Sequence, residues 1–190
     1  MYQKYQTDAL VLGSREIGEA DKLIALFTRD FGLIRARASA IRKERSKMRH
    51  ATQNYARAHV SLVRGKRGWR LAGASAVRNA QGDRRGIAAF ARISELVSRL
   101  VQGEEPNAYL FAALSEAHDA LIQEKCDAFG TIEIVCVARI LYSLGYISTE
   151  ALSSALFTHT AYTGESLLEA ETMRDKLLSS INKAIAETHL

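Results

Sequence analysis

Ile41-Arg42-Lys43-Glu44-Arg45-Ser46-Lys47-Met48-Arg49-His50 is the densest run of chemistry-bearing side chains in the sequence, with five Lys/Arg and one Glu. Cations at this spacing can meet successive phosphates of a polyanion and release its condensed counterions. That gives affinity without any reading of sequence. Just upstream, Leu33 to Ala38 alternates: Ile34, Ala36 and Ala38 fall on one face of an extended strand, Arg35 and Arg37 on the other. Lys66 and Arg67, inside Gly65-Lys66-Arg67-Gly68, and the nearby Arg70 add three more cations. The candidate nucleic-acid-binding residues are therefore Arg35, Arg37, Arg42, Lys43, Arg45, Lys47, Arg49, Lys66, Arg67 and Arg70. Tyr55 and Trp69 are candidates for stacking on bases, with a barrel-core role as the alternative for Trp69.

Catalytic chemistry finds little support. Gly65-Lys66-Arg67-Gly68 lacks the spacing of a phosphate loop, and no GxGxxG, HExxH or GxSxG motif occurs. His50, His59, His118, His159 and His189 are scattered, and none pairs with a cysteine at metal-site spacing. Cys126 and Cys136 are too few for a structural zinc, so no metal or cofactor is expected. Cys136 lies in an apolar run and reads as a small buried hydrophobe. The expected activity is binding, not catalysis.

The elements that would carry these residues change type along the chain. Ala9–Leu12, Leu23–Phe27, Leu33–Ala38, Ala56–Val63 and Trp69–Ala74 read as five short strands, with turns at Glu16–Glu19 and Gly65–Gly68. One long connection, holding the basic run, separates the third strand from the fourth. That pattern fits a Greek-key barrel such as the OB-fold; a split sandwich or an SH3-like barrel would give nearly the same one. After Gln81-Gly82-Asp83 the period becomes helical. Phe90, Ile93, Val97 and Leu100 form one stripe, ended by Gly103, and Leu110, Phe111, Leu114, Ala117 and Leu121 form another after Pro106. Ile132 to Leu144 is apolar almost all round and predicts a central helix capped by Gly145. Met173, Leu177, Ile181 and Ile185 predict one last helix from about Glu165. The expected architecture is α+β: a barrel over residues 1–80 and an α-helical bundle over 81–190 that packs on it.

Charge divides the same way. Residues 1–85 hold 19 Lys/Arg against 7 Asp/Glu, a balance of +12, and residues 86–190 hold 7 against 14, a balance of −7. The basic half is the one suited to a polyanion. No stretch approaches the ~18 apolar residues of a membrane span, and the first residues do not read as a secretory signal. Few cysteines fit a cytoplasmic protein.

Four segments, taken in order, resemble the bacterial DNA repair protein RecO family in a short, zinc-less form. "ALVLGSREIGEADKLIALFTRDFGLIRARASAIRKERSKMR" looks like the family's opening, and "SLVRGKRGWRLAGA" like the hairpin that ends its OB domain. "ISELVSRLVQGEEPNAYLFAALSEA" is similar to its first two bundle helices, and "ARILYSLGYI" to the Leu-Gly-Tyr closing the central one. The resemblance implies an N-terminal OB-fold with a helical domain behind it. It also implies binding of single- and double-stranded DNA, strand annealing, and recombinase loading with RecR on DNA coated by single-strand-binding protein. One departure is plain: many members carry a four-cysteine zinc module after the Leu-Gly-Tyr, and Ile147 to Gly164 contains no cysteine.

A further implied partner is the acidic, hydrophobic-ended tail of single-strand-binding protein. Its receiving slot would need an apolar floor beside a cation. Arg139 is the first candidate, as the only charged residue from Ile134 to Leu144, with Val135, Tyr142 and Ser143 bordering the slot. Arg92 and Arg99 are second choices. The alternative for Arg139 is a place at the core edge, paired with Glu133 or another acid. Two other readings stay open: an RNA-binding or ribosome-associated OB module, and a scaffold whose basic half meets an acidic protein.

Overall fold

The computed structural model describes residues 3–122, 128–148 and 155–188; Cys126 and His189 lie outside them. Five strands come first: β1 (Lys4–Ile17), β2 (Asp21–Thr28), β3 (Gly32–Ala38), β4 (Arg57–Gly65) and β5 (Gly68–Arg78). They close into a barrel in the order β1-β2-β3-β5-β4. Closure comes from β4 pairing antiparallel with β1, and β3 and β5 run parallel through Ala36↔Trp69 and Arg37↔Arg70. A closed five-stranded barrel of this order is the OB topology, so the sandwich and SH3-like alternatives fall away. The strands are longer than the apolar runs alone predict. β1 in particular extends through Ser14-Arg15-Glu16-Ile17, because its outward positions can be polar while the ladder with β2 continues.

Period-2 alternation fills the barrel. In β3, Ile34, Ala36 and Ala38 are buried while Arg35 and Arg37 are exposed. Ile24, Leu26, Val60, Leu62, Trp69 and Leu71 complete the core with Ala9 and Val11. The β2–β3 turn depends on one backbone position. Gly32 has φ +60, and a Cβ there would stand 2.2 Å from the carbonyl oxygen of Glu105. Gly32→Ala combines a left-handed backbone with a backbone overlap, and should cost about 2 kcal/mol or more. Urea unfolding of the variant checks this, with an unchanged midpoint as the contrary result.

Helices follow: α1 (Arg84–Leu100), α2 (Ala108–Leu121), α3 (Phe129–Ser143), α4 (Ala155–Thr158), α5 (Gly164–Thr172) and α6 (Arg174–Glu187). The single last helix predicted from Glu165 is in fact two, broken at Met173. The Met173 amide still donates to the Glu169 carbonyl, and the Leu177 amide donates to Met173. The apolar stripe runs through the break, so periodicity alone does not register it. α3 is the central helix, burying Ile132, Val135, Cys136, Ala138, Ile140 and Leu141. Its end is closed by Gly145 at φ +82, with the Tyr146 amide on the Leu141 carbonyl and the Gly145 amide on that of Tyr142.

Two compact units result. One comprises Met1–Gln81 with Val101–Ala108, the other Gly82–Leu100 with Tyr109–Leu190. A division at residue 80 alone leaves out the α1–α2 connection, which groups with the barrel. There the Arg64 Nη1 meets the Glu104 carboxylate at 3.2 Å. Among the described residues no helix is long and apolar enough to cross a membrane.

Candidate nucleic-acid interface

The barrel's register sets its cations in a row. Arg15 on β1 pairs with Leu23 on β2, Leu23 with Arg37 on β3, and Arg37 with Arg70 on β5. Directly paired residues point to the same side of a sheet, so Arg15, Arg37 and Arg70 share the outer face. The next row on that face is Gly13, Ala25 and Arg35. Two small residues leave a shallow floor there, edged by guanidinium groups. Arg15 escapes a reading of the sequence, because only register brings it into line.

The basic connection, residues 39–56, is a succession of turns lashed to the β1–β2 corner. Asp21 is the lashing point. Its Oδ1 accepts the Ala40 amide at 2.8 Å, and its Oδ2 accepts Arg37 Nε and Nη2 at 2.9 and 2.7 Å. The Ala40 amide and then the Arg37 guanidinium hold the Asp21 carboxyl below the usual carboxylate range. Ala40 adopts φ +54, a conformation this bond helps to fix. The Arg42 amide donates to the Ala20 carbonyl at 3.1 Å, and its Nη1 reaches Gly18 O at 3.2 Å and Glu16 Oε2 at 3.1 Å.

The ten predicted binding residues thus differ in how they are held. Arg37 and Arg42 are held by acids of the barrel, whereas Arg35, Arg45, Lys47, Arg49, Lys66, Arg67 and Arg70 are exposed and form no ion pair among the described residues. Lys43 is exposed and near enough to Asp21 to lower its carboxyl slightly. Exposed pairs like Arg37–Asp21 are worth only about 0.2–1 kcal/mol, so an incoming phosphate can replace the carboxylate. Arg35, Arg37 and Arg70 lie on the outer face, Lys66 and Arg67 at the β4–β5 hairpin, and the rest on the connection.

Trp69 is not a stacking platform. It is 4% exposed, with the rings of Tyr5 and Phe31 at 5.6 and 5.2 Å and the Arg64 guanidinium at 5.2 Å. Its faces are used inside the barrel. Tyr55 is half-buried at φ +67, its amide bonded to the Val11 carbonyl at 2.7 Å.

Arg139 overturns the expectation placed on it. It is 1% exposed and donates from Nε to Leu156 O at 2.9 Å, from Nη1 to Thr160 O at 2.7 Å and from Nη2 to Ala161 O at 3.3 Å. Its guanidinium also lies 4.6 Å from the Tyr162 ring centroid. A cation spent on three backbone carbonyls is closed to a peptide carboxylate. Glu133, the other expected partner, instead takes a bidentate bond from Arg92, with both N···O distances 2.6 Å. Arg92 and Arg99 edge a groove of about 380 Å³ floored by Ile134, Val137, Leu178, Ile181 and Ile185. Arg99 forms no ion pair among the described residues and is exposed.

The buried Cys136 thiol is pushed up to about 12 by desolvation, so at neutral pH it is a thiol and not a nucleophilic thiolate. Among the described residues no three His, Cys, Asp or Glu side chains converge as metal ligands.

An OB-fold barrel with one cationic outer face, followed by an acidic helical unit, is the class these features define. Residues 1–79 match the family model described as the recombination protein O N-terminal domain, so this part of the chain is similar to the RecO family. The chain is 45% identical over 62 residues to the DNA repair protein RecO of Desulfitobacterium hafniense (strain DSM 10664 / DCB-2), covering 33% of this chain and 23% of the relative. It is 34% identical over 121 residues to that of Pelotomaculum thermopropionicum, covering 58% and 44%. For Myxococcus xanthus the match is 34% over 116 residues, covering 59% and 48%. The matched regions span less than half the length of these curated relatives.

Proposed function

We propose that this chain is a DNA-binding mediator of recombinational repair. The barrel holds single- and double-stranded DNA by its phosphates, promotes annealing, and acts with RecR to load recombinase on DNA coated by single-strand-binding protein. The protein is cytoplasmic and nucleoid-associated, and its work is binding rather than catalysis. The observation that carries the reading is the Arg15–Arg37–Arg70 row beside the basic connection, on a barrel whose relatives are named DNA repair proteins. Such a face offers charge and a shallow floor but no helix or ribbon to enter a groove. Binding is therefore tolerant of sequence.

The acidic helical unit makes a poor DNA surface and receives protein partners instead. With Arg139 buried, the groove beside Arg99 is the better place for an acidic, hydrophobic-ended tail. Its floor is apolar, and Arg99 can meet a carboxylate. A gel shift on gapped DNA, with and without single-strand-binding protein, tests the whole reading, with single-stranded RNA of equal length as comparison. Retention on the coated gap and loss of that retention in Arg99→Glu are expected. Binding confined to RNA, or exclusion from coated DNA, overturns it.

A further inference from the structure

A second cavity of the barrel unit gathers two cations of the basic connection, Arg42 and Arg49, with Lys22 of β2 into one charge cluster. It measures about 380 Å³ and lies between the end of β1, the start of β2 and the two ends of the basic connection. Lys22, Arg42 and Arg49 line it, with Glu16 as its only acid and Gln53 as a further donor. The floor is rigid. Ile41 and Thr52 are 2% and 4% exposed, and both the amide and the hydroxyl of Thr52 bond to the Met48 carbonyl, at 3.1 and 2.9 Å. The Arg42 backbone is fixed to Ala20 as described above. Lys22 and Arg49 have no ion pair among the described residues, whereas Arg42 is occupied by Glu16 at 3.1 Å.

Three cations less one carboxylate leave the cavity at +2. An internal phosphodiester brings a single negative charge and two free oxygens, too little to balance it. A phosphomonoester brings about −1.5 to −2 at neutral pH and three acceptor oxygens. Arginine forks bind such a group through paired charge-assisted bonds. The volume is at the low end of ligand cavities, and suits a terminal phosphate with its sugar better than a whole base-stacked nucleotide.

Resting on the DNA-binding reading, we infer that this cavity is a receptor for the phosphorylated end of a DNA strand. Lys22, Arg42 and Arg49 grip the phosphomonoester, and Glu16 is the placeholder it displaces. A strand end at a gap or nick is thereby distinguished from continuous backbone.

The test compares fluorescent single strands of one sequence and length, carrying a 5′-phosphate, a 3′-phosphate or hydroxyls at both ends. At least one phosphate-ended strand should bind about fourfold more tightly at 0.15 M salt, the worth of roughly one further neutralised phosphate. Glu16→Gln, which frees Arg42, should enlarge that ratio, and Lys22→Gln with Arg49→Gln should bring it to about 1. A ratio of 1 in the unaltered protein overturns the inference, as does a ratio that the paired substitution leaves intact. Competition by adenosine monophosphate at micromolar concentration would reassign the cavity to free nucleotides. The hydroxyl-ended strand separates the two ideas. If it binds and the ratio is 1, only the end receptor fails; if no strand binds, the DNA-binding reading fails with it.

Discussion

Replacing Arg139 by Met is expected to destabilise the helical unit by about 3 kcal/mol, although the unbranched stem is kept and only the guanidinium is lost. The reason is the fate of three carbonyl oxygens. Leu156 O is left without a donor in a buried setting, and Thr160 O and Ala161 O are left without theirs where water has only partial access. An unsatisfied buried acceptor costs about 1–3 kcal/mol, and the two partly buried ones recover some of theirs from solvent. The Tyr162 ring is also deprived of its guanidinium. For a unit of this size such a change lowers the melting temperature by on the order of 10 °C or more. Arg139→Lys should not restore it, because an ammonium cannot reproduce a planar fork reaching three acceptors. Thermal unfolding followed by circular dichroism measures the effect, and a shift of under 2 °C would refute the role given to Arg139.

Neutralising the outer face of the barrel should have the largest effect on binding. Arg15, Arg35 and Arg70 are exposed, form no ion pair among the described residues, and bury none of the core, so conversion of all three to Gln should leave stability nearly unchanged. On single strands each neutralised phosphate adds about 0.7 to the slope of the salt dependence, which at 0.15 M is worth roughly fourfold in affinity. Removing three such cations together should weaken binding on the order of 50-fold, equally for every sequence. Fluorescence anisotropy with a mixed-sequence strand gives the number. A weakening under threefold would move the site off this face. Converting Arg42, Lys43, Arg45 and Lys47 to Ala should weaken binding in the same sequence-independent way.

The parts of this protein that follow from local chemistry are readable along the chain. Alternation of Ile34, Ala36 and Ala38 with Arg35 and Arg37 depends only on the two-residue repeat of a strand, and it reappears unchanged in β3. The apolar run from Ile132 to Leu144 likewise announces a central helix, and Gly145 announces its end. Features that depend on pairing are not readable in this way. Arg15 joins Arg37 and Arg70 only through the register of four strands, and its neighbours in sequence give no sign of it. Asp21 opens β2 as an ordinary polar residue, and its grip on Ala40 and Arg37 requires the connection to fold back over nineteen residues. Arg139 misleads for a related reason. A lone cation in an apolar helix looks like an open site when its partners are backbone carbonyls, and carbonyls leave no mark on a sequence. Trp69 has two readings in the sequence, and only closure of the barrel around it decides between them.

Binding of nucleic acid by the barrel through its phosphates is tested most directly by the affinity of the unaltered protein for one single strand across a salt series from about 50 to 300 mM. If about five phosphates are neutralised by the outer face and the basic connection, log affinity falls linearly with log salt at a slope near −3.5. A slope weaker than about −1, with affinity retained at the top of the range, would contradict phosphate-driven binding.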